Sequence, residues 1–224
     1  MEEKKFVQFK KEEFAVREYI KNSLGKGKIS KVVIEYTPIG EKIRVFTNRP
    51  GIIIGRGGER IDELTRVLKK RFHMQNPYIE INEIKEPMLD AQLVADDIAM
   101  FLERRGSLKF KVIAYRALES IKKAGARGAE IALSGKLPSD RARTWKFRFG
   151  YLKKTGDLAA QVSKGSAQAQ TISGVVGVKV SILRPDVKFE DQIEITDEVL
   201  EKIKRESLES GSGGKDGSAE SEGN

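Results

Sequence analysis

Gly55, Gly57 and Gly58 fall within four residues just before an apolar repeat, and the stretch Ile54-Gly55-Arg56-Gly57-Gly58-Glu59-Arg60-Ile61 constrains this chain more than any other. Without Cβ atoms, the glycines let the backbone take positive φ and let another molecule approach the main chain closely. From Glu59 the apolar residues Ile61, Leu64, Leu68 and Phe72 recur at helical spacing. That spacing predicts a helix whose first turn directs unpaired N–H groups toward whatever lies beside the loop. Such a helix start attracts anions. With Arg56 inside the loop and Arg60 just after it, phosphate is the natural guest. A nucleoside-triphosphate loop would need Lys and then Ser or Thr after its last glycine, and a dinucleotide fold would need G-x-G-x-x-G after a strand. Neither is present.

The flanks narrow the choice. Residues 1–10 are of mixed charge with Phe6 and Phe9 and read as a partly ordered arm; Val16, Tyr19, Ile20 and Leu24 then predict a helix that stops at Gly25. Ile29 to Tyr36 is rich in β-branched residues, and Thr37-Pro38-Ile39-Gly40 separates it from Ile43, Val45 and Phe46, which gives a hairpin. Asn48 can cap a short helix with Pro50 near its first position, ending in the glycine loop. After the helix from Glu59 to Phe72 come a strand through Tyr78, Ile79, Ile81 and Ile84, closed by Pro87, and a long amphipathic helix from Leu89 to Leu102. His73 reads as a solvent-facing helix end. Together with Gly55-x-x-Gly58, this order of elements resembles a type II KH domain, whose GXXG loop clamps nucleic-acid backbone.

A domain boundary is expected at Arg104-Arg105-Gly106-Ser107, giving residues 1–105, 106–185 and a tail at 186–224. Past it, Phe110, Ile113, Ala114, Ala117, Leu118 and Ile121 form a helical stripe up to Gly125. Strands follow at 129–133, 144–152 and 175–183, with a shorter one around Leu158–Val162. This part reads as a small α/β domain with a mixed sheet, so the fold class is α+β. One helix cannot cover both faces of such a sheet, which leaves one face open or docked on a partner. Lys136, Arg141, Arg143, Lys146, Arg148, Lys153 and Lys154 lie in a run with one acid, Asp140. Within it Trp145, Phe147, Phe149 and Tyr151 alternate with Lys146, Arg148, Gly150 and Leu152, so a strand would put rings on one face and two cations on the other. The rings read as core beneath the second-domain helix, with a base-stacking platform as the alternative.

Formal net charge is +9, but residues 186–224 carry 5 basic and 12 acidic residues, leaving 37 basic against 21 acidic on residues 1–185. A body at +16 suits a polyanion, and nucleic acid fits better than a membrane surface. No membrane span, charged-then-apolar leader or cysteine is present, so a cytoplasmic protein without disulfides or thiolate metal sites is expected. Ser210 to Asn224 is Gly, Ser and acid, and reads as disordered. No carboxylate cluster has metal-ligand spacing, and Asp90, Asp96 and Asp97 read as partners for nearby arginines. Neither catalysis, metal, cofactor nor small-molecule substrate is expected.

The segments Arg49-Pro50-Gly51-Ile52-Ile53-Ile54-Gly55, Leu93-Val94-Ala95-Asp96 through Leu102-Glu103-Arg104-Arg105, Ser134-Gly135-Lys136-Leu137 and Gly174 through Val180 look like the small-subunit ribosomal protein three family, of archaeal type, over about residues 1–185. The resemblance implies a protein of the subunit head that binds ribosomal RNA, adjoins other head proteins and lines the channel where messenger RNA enters. It implies a backbone clamp at Gly55, Arg56, Gly57 and Gly58, with Arg60 beside it. In bacterial members, basic residues near the start of the second-domain helix face incoming messenger and are tied to unwinding. Here that turn offers Lys109, Lys111 and Arg116, while Val112 and Tyr115 stand where further charge would be. Lys136, Arg141, Arg143, Lys146 and Arg148 complete the RNA-binding set expected of the second domain. The alternative function is a free-standing KH regulator or processing factor acting on transcripts.

Overall fold

The computed structural model describes residues 2–187 apart from Ile39, His73 and Asp140. The readings of His73 and of nearly all the acidic tail therefore lie outside the described residues. Helix α1 runs Glu2–Leu24, strands β1 and β2 run Ile29–Thr37 and Gly40–Thr47, and α2 runs Pro50–Ile54. Then follow α3 Glu59–Phe72, β3 Tyr78–Glu83, α4 Ala91–Arg105, α5 Phe110–Lys123, β4 Gly128–Gly135, β5 Arg143–Gly150, β6 Ser163–Thr171 and β7 Gly174–Leu183.

Residues 2–10 are not an arm: α1 is helical from Glu2. Glu2 and Glu3 suit the positive end of the helix dipole, and Glu13 pairs with Lys10 three residues before it and Arg17 four after. Val16, Ile20 and Leu24 are buried as the spacing predicts, and Gly25, at φ 86°, ends the helix.

β1 pairs antiparallel with β2, and β2 pairs parallel with β3. α1 and α3 contribute Val16, Ile20, Leu64 and Leu68 to one core with Val32, Ile34, Ile43 and Val45 of the strands. Arg44 bridges Glu35 and Glu80 at 2.9 and 3.1 Å, with Lys42 on Glu80 at 2.9 Å. Asn48 does not cap α2. Arg49 holds the cap position without a side-chain bond, and Pro50 opens the helix. Prolyl φ pre-sets the first turn, so no cap is required to start so short a helix.

The second sheet runs β5-β4-β7-β6 and is antiparallel throughout. The mixed sheet is thus the first one, and the expectation of a mixed second sheet is corrected. Its fourth strand is β6, whereas residues 157–160 form a 3-10 turn where a strand was expected. β6 reads Ser-Lys-Gly-Ser-Ala-Gln-Ala-Gln-Thr and, apart from Thr171 at its end, lacks the β-branched and aromatic residues that mark a strand. Its inward positions Gly165, Ala167 and Ala169 are small because α4 lies close upon them: a Cβ built on Gly165 would come within 2.3 Å of the Ala91 carbonyl oxygen. Backbone cannot yield as a side-chain tip can. Gly165→Val is expected to destabilise the chain by about 3 kcal/mol, the upper part of the range for overpacking, read as a lowered Tm with Ser166→Val as the control.

α4 belongs to the second core by packing. Val94, Ala95, Ile98 and Leu102 cluster with Phe110, Ile121, Ile131, Val178 and Val180. The change of core therefore falls near Pro87–Asp90, before α4, although chain order suggests a break after Arg105. Asp90 caps α4, accepting from the amides of Gln92 at 3.0 Å and Leu93 at 3.3 Å, and its other oxygen takes the Ser30 hydroxyl. Asp96 accepts the Gly27 amide at 3.1 Å. Both aspartates hold the first hairpin on α4 instead of balancing arginines; Asp97 alone feels one, Arg49.

Candidate RNA interface

The glycine loop has the geometry that its sequence predicts. Gly55, Gly57 and Gly58 take φ of 73°, 60° and 87°, and a Cβ at either Gly57 or Gly58 would meet nothing within 4 Å. Positive φ, more than crowding, makes glycine the residue of choice here. Residues 56–58 form a 3-10 turn leading into α3, with Arg56 and Gly57 exposed. Arg60 donates from its guanidinium to the Ile52 carbonyl at 3.1 Å, so it braces the loop against α2 as well as charging it. Glu59 and Asp62 occupy the same first turn of α3. They oppose anion binding at the helix start, which leaves Arg56, Arg60 and the free loop backbone as the attractive features.

In the second lobe Phe110 and Phe147 are core and Phe149 packs against it, whereas Trp145 is 37% exposed and Tyr151 is exposed. Phe110 lies 5.4 Å from Trp145 and 6.3 Å from Phe147 between ring centroids, and Tyr115 meets Phe147 edge-on at 5.1 Å. Phe110 and Phe147, buried between α5 and the sheet, cannot stack bases. Lys111 sits 5.0 Å above the Trp145 ring, a cation–π contact at the edge of the sheet. Arg116 instead faces the groove toward α4, beside Phe101 and Val112. Five residues apart, Lys111 and Arg116 stand about 140° apart round the helix, so they flank its exposed face and do not form one row. Lys109 ends the 3-10 turn that precedes α5.

Lys146 and Arg148 alternate with Trp145, Phe147 and Phe149, which puts them on the sheet face away from α5. The structure therefore separates them from Lys109, Lys111 and Arg116. Arg148 is paired with Glu130 at 3.0 Å, and Lys154 binds the same carboxylate. Burial pushes Glu130 up, but Lys154, Arg148 and Lys146 outweigh it and hold the group below its ordinary range. Lys136, Arg141 and Arg143 cluster by chain position around the β4–β5 turn, with Arg143 opposite Gly135 in the ladder. Sequence reasoning missed Lys164 and Lys179, which share the open face: Lys179 lies opposite Ala132 and Ser166, and Lys164 opposite Ser181. The alternation Val176, Val178, Val180, Ile182 marks Lys179 as outward, whereas Lys164 lies on the strand that its composition conceals.

Among the described residues no group of three or more His, Cys, Asp or Glu is placed to hold a metal ion, and no helix is long and apolar enough to cross a membrane.

Comparison with known families agrees with this arrangement. A KH-domain model matches residues 15–89, and a model of the ribosomal protein S3 C-terminal domain matches residues 98–182. The small ribosomal subunit protein uS3 of Methanocaldococcus jannaschii is 43% identical over 199 residues, covering 88% of this chain and 95% of that protein. That of Archaeoglobus fulgidus is 42% identical over 208 residues, with 92% and 90% covered, and that of Methanococcus maripaludis strain C5 is 40% identical over 196, with 87% and 92% covered. A KH lobe carrying a complete GXXG loop, joined to the second lobe that these relatives share, makes this chain a member of the ribosomal protein S3 family in its archaeal form.

Proposed function

We propose that the chain is a structural, non-catalytic constituent of the small ribosomal subunit, working in the cytoplasm, that binds ribosomal RNA in the head and lines the channel where messenger RNA enters. The observation that carries RNA binding is the loop Gly55-Arg56-Gly57-Gly58, with three positive-φ glycines, an exposed Arg56 and open space beside Gly57 and Gly58. A sugar-phosphate backbone can lie along such a loop where side chains would hold it off. The relatives named for the small subunit support the ribosomal setting. Lys109, Lys111 and Arg116 are the groups assigned to messenger. Lys136, Arg141, Arg143, Lys146 and Arg148 are assigned to RNA at the sheet's other face and end, and neighbouring head proteins complete the surroundings.

Co-sedimentation tests the setting. Tagged full-length protein is expected to remain with small subunits through a high-salt wash, because many phosphate contacts on a fixed scaffold dissociate together. A free-standing regulator of transcripts would leave the subunit as salt rises, since each phosphate contact weakens steeply with ionic strength.

A further inference from the structure

A cleft of about 380 Å³ opens where the first hairpin meets α4. Asp97, Met100, Phe101 and Arg104 line it from α4, at spacings that put them on one helix face. Lys28, before β1, and Arg49, after β2, face them.

Its walls are fixed. Gly27 takes φ 77° against Met100, whose Cε would lie 2.5 Å from any Cβ there. Thr47 is fully buried; its hydroxyl donates to the Lys28 carbonyl at 2.6 Å and accepts from the Arg49 amide at 3.0 Å, which holds both basic residues in place. Its charge is unbalanced. Lys26 is engaged with Glu103 and the Gln168 carbonyl, each at 3.1 Å, but Lys28, Arg49 and Arg104 make no ion pair among the described residues. Among the described residues Asp97 is the single carboxylate lining the cleft. Burial raises Asp97 above the ordinary carboxylate range, and the charge of Arg49 draws it partly back. One wall is apolar, with Phe101 44% exposed. Asn48 also lines the cleft, and its enclosed Oδ1 has no donor, so the amide can turn toward a ligand without breaking a hydrogen bond at that oxygen.

We propose that this cleft receives one nucleotide of RNA turned out of its strand, with the phosphate toward Lys28, Arg49 and Arg104 and the base against Phe101. The proposal rests on the RNA-binding reading and adds a second place of contact, remote in chemistry from the glycine loop. The volume lies in the range of about 300–1,000 Å³ common to small-ligand sites. Splayed bases are held by aromatic faces and by hydrogen bonds to their edges, and Arg suits phosphate by its forked donors. A base brings N–H donors for Asp97 and Asn48, a ring for Phe101 and an anion for three cations. An acidic peptide would answer the cations but sets further carboxylates beside Asp97 and brings no flat ring for Phe101.

The test is calorimetric titration of the full-length protein at low salt with the four nucleoside monophosphates, ribose 5-phosphate, inorganic phosphate and a Glu-rich peptide. At least one nucleotide is expected to bind about tenfold more tightly than ribose 5-phosphate or phosphate. Arg49→Gln and Arg104→Gln should each weaken it about tenfold, in line with loss of one charge-assisted hydrogen bond. Phe101→Ala should reduce the nucleotide to the affinity of ribose 5-phosphate. Equal binding of nucleotide and phosphate would make the cleft an anion site and overturn the proposal, as would tighter binding of the peptide or no binding at all. The Gly57→Asp/Gly58→Asp protein separates the two readings: it should lose RNA while retaining the mononucleotide. If the cleft variants bind RNA and mononucleotides as the unaltered chain does, the cleft proposal falls and the loop reading stands.

Discussion

Replacing Gly57 and Gly58 together by aspartate is expected to leave the fold intact and to weaken RNA binding by the full-length protein tenfold or more. The structural side of this expectation comes from φ and from space. Gly57 at φ 60° and Gly58 at φ 87° lie in the left-handed region, where Asp is among the few residues that settle at modest cost, and neither position has an atom within 4 Å of a built Cβ. The strain, about 1–2 kcal/mol per residue at most, falls in an exposed turn and not in the core. The binding side is electrostatic. A carboxylate about 5 Å from a phosphate contributes roughly 1–3 kcal/mol of repulsion at the effective dielectric of a protein surface. Two of them oppose Arg56 and Arg60 directly. Circular dichroism and a filter-binding titration on the same preparation read both effects, and unchanged affinity with an unchanged spectrum would remove the loop from the RNA interface. Gly57→Asn/Gly58→Asn, with the same backbone demands and no charge, should retain most of the affinity. That contrast assigns the loss to charge instead of backbone geometry.

Why this loop could be read from sequence, and other parts could not, follows from where each signal resides. The φ-positive turn needs glycine locally, so three glycines before an apolar helical repeat announce it without tertiary information. The hairpin, α3 and α5 bury one face each against one neighbour and keep clean periodicity. β6 is the opposite case. Because α4 presses backbone to backbone on Gly165, the strand is built of small residues, and its pattern reflects its neighbour more than its own propensity. The assignment of α4 to the second core was hidden for a related reason: Gly106, at φ 76°, turns the chain sharply after Arg105 and looks like a hinge, although α4 and α5 pack in one cluster. Charge was legible as a total and not as a map. Lys146 and Arg148 lie close in sequence to the rings that pack under α5, yet alternation carries them to the far side of the sheet. The cleft of Lys28, Arg49 and Arg104 draws on three separate segments and could not be assembled before folding.

For the messenger surface, the expected result is that Lys109→Ala/Lys111→Ala/Arg116→Ala flattens the salt dependence of single-stranded RNA binding by up to about 2 units of slope, each phosphate contact contributing about 0.7. Over a fourfold change in salt that amounts to a difference of roughly 16-fold. The contacts are to phosphate, so preference among sequences should not change. Geometry refines the expectation, because Lys111 leans on Trp145 at the sheet edge while Arg116 borders the groove beside Phe101. A strand crossing over α5 meets both, whereas one running along the helix meets only one. Crossing predicts that the single substitutions lower the slope by nearly equal steps that add, and running along it predicts that Lys111→Ala or Arg116→Ala alone is silent. Lys146→Ala/Lys179→Ala, on the opposite face, should act independently of the triple change. Trp145 is the chain's single tryptophan and gives a direct readout. RNA that draws the Lys111 ammonium from its ring should change its fluorescence, and Lys111→Ala should abolish that change. Exposed Val112 and Tyr115 offer no further charge on this turn, so slowing at messenger duplexes should be smaller than the loss of single-strand affinity. In reconstituted small subunits carrying the triple change, assembly should be normal, and only messengers long enough to reach the channel should bind less tightly. Equal loss for short and long messengers would assign Lys109, Lys111 and Arg116 to ribosomal RNA and end the messenger reading of α5.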